Sequence, residues 1–143
     1  MSKLTLAQAS LITDAALAEG RKRKLLPLTV AVLDAGGHLV ALKRDDGASL
    51  IRPQLATAKA WGTLGMGFGS RELSRRAQAN PVFFNTLTAL ADGNMVPVHG
   101  GVLIRDGLGD IIGAVGISGD VSDADEACAL AGIEAAGLTG DAG

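Results

Sequence analysis

The residues of this chain that can do chemistry gather in three places. The first is centred on Lys59, a lone cation inside the apolar helical stretch Ala56-Thr57-Ala58-Lys59-Ala60. Burial would lower its pKa and make the amine available as a base or Schiff-base nucleophile. The alternative is a lysine whose stem lies along apolar surface while its head is solvated or paired with an acid. Arg52 stands seven residues earlier, about two helical turns away on the same face. The two together can hold a carboxylate or a propionate, which a guanidinium grips through two bonds. Arg44, Asp45 and Asp46 complete this polar stretch, and they suit a solvated salt-bridge network equally well.

The second place is His99, followed directly by Gly100 and Gly101. Paired glycines let the backbone approach a ligand closely, and imidazole serves as a heme ligand or a general acid and base. A histidine hydrogen-bonded within its own loop would look the same in sequence. His38, the other histidine, leaves a turn and is expected to be exposed. Two histidines and scattered acids make no metal-ligand spacing such as HExxH. The third place is the run Gly113-Ala114-Val115-Gly116-Ile117-Ser118-Gly119 ahead of a helix start. Such a run can cradle an anion, but it lacks the Lys-Ser/Thr of a P-loop and the spacing GxGxxG. Close packing of a strand against a small-residue helix accounts for the same glycines. Ser118 has no neighbouring base in sequence, and Cys128 is alone, which excludes an internal disulfide or a CxxC metal site.

The elements that must position these residues are legible from pattern. Thr5 and Gln8 form a capping box for a helix over 5–20, with Gly20 as its stop. Leu28–Asp34 and His38–Lys43 flank Ala35-Gly36-Gly37 and predict a hairpin, with Leu33, Leu39 and Val40 in the core. A helix over 50–64 carries Pro53 in its first turn, and Gly62, Gly65, Gly67 and Gly69 weaken the helical signal towards its end. Ser70 reads as a new N-cap, and Asn80-Pro81 starts a helix through Leu90. Met95–Val98 suggests a short strand. A second hairpin pairs 101–105 with 110–118 around Asp106-Gly107-Leu108-Gly109. Acids at Asp123, Asp125 and Glu126 suit the first turn of a last helix. That helix presents Ala124, Ala127, Cys128, Ala131 and Ala135 as a smooth face, and residues after Gly137 are expected to fray. Hairpins at both ends of a helical middle argue for an α+β fold with antiparallel pairing.

Composition bounds the rest. The chain has 143 residues, which suits a single domain over 1–143. It has 20 glycines and 3% aromatics, so a core of Ala, Val, Leu and Ile must pack at short distances. Trp61, Met66, Phe68, Phe83 and Phe84 are the large side chains of the middle, suited to core, subunit interface or the wall of an apolar pocket. The net charge of −2 leaves no basic field for nucleic acid, and Arg21-Lys22-Arg23-Lys24 suits a helix end. With no apolar leader and no span near ~20 apolar residues, the expected compartment is the cytoplasm, away from membranes.

Four stretches carry a resemblance to a known family: Thr29-Val30-Ala31-Val32-Leu33-Asp34-Ala35-Gly36-Gly37-His38-Leu39-Val40, Ala56–Ala60, Gly100–Ile104, and Ile112–Gly119 with Asp123–Glu126. Together they resemble the GlcG/HbpS-like, heme-degrading-domain-like proteins. The resemblance implies a profilin-like antiparallel sheet of about five strands flanked by helices, and homo-oligomers. The family includes heme-binding sensors and the C-terminal domain of some corrinoid adenosyltransferases. It leaves two functional readings open. In the first, the protein binds heme or another flat, carboxylate-bearing ligand. Arg52 and Lys59 then clamp the anion, Arg44, Gly100 and Gly101 adjoin it, and His99 is the axial metal ligand. In the second, it is a cofactor-free enzyme acting on a small hydroxy or keto acid, with Lys59 or His99 as acid and base and Arg52 orienting the carboxylate.

Overall fold

A computed structural model describes residues 3–143. The elements run α1 (Leu6–Lys22), β1 (Thr29–Asp34), β2 (Leu39–Arg44), α2 (Arg52–Met66), α3 (Ser70–Ala79), α4 (Pro81–Leu90), β3 (Gly101–Arg105), β4 (Ile111–Ser118), α5 (Ser122–Ala135) and β5 (Thr139–Asp141). The fold is α+β. One five-stranded sheet has the order β2-β1-β4-β3-β5, and every neighbouring pair is antiparallel. Helices α1 and α5 cover one face, while α2 covers the other and α3 and α4 extend its layer.

Strand alternation divides the core between the two faces. Val30, Val32, Val102, Ile104, Val115 and Ile117 pack under α1 and α5 against Ile12, Ala16, Cys128 and Ile133. Leu33, Leu103 and Ala114 face Ala60 of α2. A third cluster, Leu73, Phe84 and Met95, joins α2, α3 and α4 with Trp61 at its border. Small residues let α2 lie directly on the sheet. A methyl group at Gly116 would run into the Ala56 carbonyl, and one at Gly101 into the Lys59 carbonyl. The glycines of the third chemical stretch are therefore packing positions.

Several boundaries differ from those the sequence predicts. Helix α1 has the expected capping box but passes Gly20 and ends at Lys22. Gly20 is instead the place where Leu28 packs, its Cδ1 lying 2.7 Å from where a Cβ would sit. Helix α2 likewise runs through Gly62 and Gly65 and stops at Gly67, whose φ of 83° is the left-handed turn that glycine supplies. The N-cap of α3 is Gly69, with Ser70 the first helical residue. Residues 95–98 form no strand. Leu39 is exposed at the turn end of the hairpin, where a register shift between Val32 and Leu33 leaves it opposite Leu33. The buried face of α5 is Asp125, Cys128, Ala129, Gly132 and Ile133 rather than the alanine stripe. Nor does the chain fray after Gly137: β5 pairs with β3, and Arg105 holds Asp141 at 2.9 Å. No helix among the described residues is long and apolar enough to cross a membrane.

The backbone contact between α2 and β4 sets a clear test. Gly116→Ala should cost about 3 kcal/mol or more of stability in urea denaturation, because neither backbone can retreat. Gly107→Ala, with nothing within 4 Å of the new methyl, should stay within about 0.5 kcal/mol.

Candidate functional site

Lys59 lies on the sheet-facing side of α2, where the alanines around it leave room for its stem. It is 4% exposed, and its Nζ donates to the Ile117 carbonyl at 2.9 Å and to Asp125 Oδ2 at 3.2 Å. Asp125 is fully buried, and its other oxygen accepts from the Asp120 amide at 3.1 Å. Burial lowers the Lys59 pKa and raises that of Asp125, and the mutual charge and hydrogen bond oppose both shifts. Gly100, at φ 115°, closes over the ammonium; a Cβ there would lie 2.9 Å from Nζ. Lys59 is thus an internal ion pair tying α2 to β4 and α5. Its ammonium is held by Ile117 and Asp125, and Gly100 and Gly101 lie against this lysine and α2, where there is no room for a side chain.

Arg52 shares that face of α2, as its spacing predicts. It is half-buried, with Nη1 donating to Ser118 Oγ at 3.1 Å and Nε to Ser49 Oγ at 2.9 Å. Its charge further lowers the Lys59 pKa. Arg44 turns to the Ala48 carbonyl at 2.7 Å, and Asp45 pairs with Arg21 at 2.8 Å. Thr29 pairs across the sheet with both Arg44 and Ser118, and its buried hydroxyl has no hydrogen-bond partner among the described residues. The structure therefore brings Arg52 to Lys59 and leaves Arg44 on the far side of Thr29.

His38 is exposed and bonds Asp34 Oδ1 at 3.1 Å. His99 lies elsewhere, among partners that its place in the sequence does not reveal. Its Nδ1 is 2.5 Å from Asp123 Oδ1 and 3.9 Å from Glu126 Oε2. Arg71 grips the buried Glu126 through Nη2 at 2.6 Å and Nε at 3.2 Å. The His99 hydrogen bond, with the charges of His99 and Arg71, holds the Asp123 carboxyl below its usual range. The i, i+3 spacing of Asp123 and Glu126 in the first turn of α5 is the one signal that could have found this cluster; Arg71 offered none.

Of the large side chains, Phe84 is buried in the core, and Trp61, Met66, Phe83 and Phe84 also border surface hollows. A groove of about 490 Å³ lies on one side of Trp61, bounded by Leu39, Leu42, Pro53 and Thr57 and by Asp92–Asn94. On the other side a cleft of about 230 Å³ is lined by Met66, Leu87, Leu90 and Met95. Met66 continues into a third hollow with Phe83, Phe84, Arg75 and Arg76. A further hollow of about 530 Å³ lies between α1 and β2, but its walls are mostly charged side chains, among them the Arg21–Asp45 and Lys43–Asp14 pairs. His99, Arg52 and Lys59 line none of these hollows, while Pro53 and Ala58, the α2 neighbours of Arg52 and Lys59, line the groove beside Trp61.

The model of the haem degrading protein HbpS-like family matches residues 4–134. The chain belongs to the HbpS-like family. Among solved structures, a PduOC–heme complex superposes with a TM-score of 0.86 at 28% identity, covering 96% of this chain and 97% of that one. HbpS superposes with a TM-score of 0.82 at 27% identity, covering 94% and 90%. The corrinoid adenosyltransferase PduO of Salmonella typhimurium is 33% identical over 87% of this chain. The HbpS-like chain spans only 36% of that relative's length.

The internal ion pair generates its own test. Lys59→Met should cost about 3–5 kcal/mol in chemical denaturation, because it strands a buried carboxylate. Adding Asp125→Asn, which removes the stranded charge, should recover most of the loss. A loss under about 1 kcal/mol for the single variant would show that Asp125 does not depend on the lysine.

Proposed function

We propose that this HbpS-like protein binds a flat, largely apolar small molecule bearing carboxylates, heme being the leading candidate, along the clefts that border Trp61. The observation that carries the reading is Trp61 itself. It is the single tryptophan of a chain with 3% aromatics, and it is half-buried between two hollows rather than sunk in the core. Leu90, 80% exposed, and Leu87 complete an apolar wall of the sort that planar ligands cover. The solved complex of PduOC with heme supports the same ligand class.

The residues present fit heme in part. The ring would lie against Trp61, Met66 and Leu90, and Arg75 and Arg76 line the adjoining hollow that shares Met66. Both are exposed, and both pair with Glu72, whose carboxyl they hold down to about 2. In this reading they, rather than Arg52 and Lys59, would meet the propionates. The thioethers of Met66 and Met95 are in this reading the soft donors on the wall, which His99 does not line. When bound, heme would supply redox or gas-binding chemistry, while these side chains bind, orient and exclude water.

The lone tryptophan makes the test direct. Heme titration should quench Trp61 emission and raise a Soret band at one heme per chain. Leu90→Glu should weaken binding at least tenfold with the fold intact, and His99→Ala should leave the Soret maximum in place. Stoichiometric binding that Leu90→Glu leaves unchanged would move the site away from Trp61.

We also propose that the chain self-associates through its exposed apolar residues. Helix α4 buries only Phe84 and leaves Val82 78% exposed beside Phe83 and Leu90. Apolar surface of this kind marks interaction sites in soluble proteins. Light scattering at micromolar concentration should give a mass above the 14.4 kDa of one chain, and Val82→Glu should lower it. A monomer at that concentration overturns the proposal.

A further inference from the structure

We infer that His99, Asp123 and Glu126 form a binding site for one divalent first-row cation, and that Arg71 occupies its place when the metal is absent. The three side chains come from two segments of the chain, and their candidate ligand atoms all lie within 4.8 Å of one another. Around a four-coordinate ion with bonds of about 2.0–2.2 Å, donor atoms stand roughly 3.4 Å apart. The observed spacings from His99 Nδ1, 2.5 Å to Asp123 and 3.9 Å to Glu126, bracket that value. Small side-chain adjustments therefore suffice.

The backbone positions of the three donors are already fixed. Asp123 and Glu126 are separated by one turn at the start of α5, which the Asp125–Lys59 pair anchors to the sheet. His99 is followed by Gly100 and Gly101, and the amide of Ile117 donates to the Gly100 carbonyl at 3.0 Å. These glycines lie directly against Lys59 and Ser70.

The electrostatics of the cluster call for a cation. Two carboxylates face one imidazole, and the charge that meets them is the Arg71 guanidinium, bonded twice to Glu126 and 3.8 Å from Asp123. The Arg71 side chain is 52% exposed and can rotate into solvent while its amide stays on the Ala142 carbonyl at 2.9 Å. Glu126, 5% exposed, would then require another positive partner. The positive end of the α5 dipole opposes a cation here, but two carboxylates within ligand distance outweigh that partial charge. One imidazole with two carboxylates suits Zn²⁺, Mn²⁺ or Fe²⁺ better than Ca²⁺, which takes 6–8 oxygens. Asp123, 73% exposed, leaves the outer side open for water. None of the three residues lines the Trp61 clefts, so the site stands apart from the proposed heme surface.

The experiment is calorimetric titration of the chelator-stripped protein with Zn²⁺, repeated with Co²⁺ to read coordination from the visible spectrum. One equivalent should bind. His99→Ala and Asp123→Asn should each weaken binding at least tenfold, with circular dichroism unchanged, and His38→Ala should not. Arg71→Gln should tighten binding several-fold, because the ion no longer competes with the guanidinium for Glu126; a merely structural cluster would not respond in that direction. Binding that survives His99→Ala, binding at several weak sites, or weaker binding in Arg71→Gln would mean an adventitious ion only and would overturn the assignment.

Discussion

The arrangement of this molecule depends on one internal ion pair. Lys59 and Asp125 meet under the main chain at Gly100, and the ammonium also takes the Ile117 carbonyl. Three elements thus share one buried contact: α2, the end of β4 and the first turn of α5. Desolvating two charges is expensive, so the pair is poor evidence of added stability. Its value is geometric. An apolar substitute could fill the space, but it would not fix the register of α2 on the sheet or the entry angle of α5. The Asp120 amide, bonded to the second Asp125 oxygen, extends the constraint into the loop before α5.

The glycines answer to the same constraint. For the ammonium to reach β4 and α5, α2 must lie almost backbone to backbone on the sheet, and only missing side chains at Gly101 and Gly116 permit that. A chain built this way fills little volume with large side chains. The few it has are displaced outward to the α2–α4 side, where Trp61, Met66, Phe83 and Phe84 form a layer less completely buried than the sheet core. The apolar clefts arise from that displacement. A molecule with a tight small-residue centre and its aromatics at the rim carries binding surface on the rim.

Legibility in the sequence tracks the range of the interactions. Local chemistry was readable: the Thr5 capping box, the turn at Ala35-Gly36-Gly37 and the two hairpins occur as their residues predict. The glycines inside α1 and α2 read as breaks because Leu28 and Met95, which pack into them, are distant in sequence or unpatterned. Lys59 and Arg52 share a face as spacing predicts, but spacing cannot tell a lysine aimed at a ligand from one aimed at an aspartate 66 residues away. Likewise His99 stood isolated in the sequence. The residues that give it chemistry come from α5 and α3, and no short-range pattern joins them.

The C-terminal segment shows why such long-range contacts matter for function. Its glycines and short polar residues look like a fraying tail, yet β5 adds an edge strand to β3, and the segment beyond it carries α3. The Ala142 carbonyl accepts the Arg71 amide, and Gly69 leaves no room for a side chain against Ala142. Helix α3 is polar, ten residues long, and has no side-chain N-cap, so this backbone contact joins buried Leu73 and the Arg71–Glu126 pair in fixing its start. That helix holds Arg71 against Glu126 at its first turn and Arg75 and Arg76 beside Phe83 and Phe84 further along. The edge of the sheet therefore contributes to the placing of the cations on both candidate surfaces, through the residue that follows a strand of only three residues.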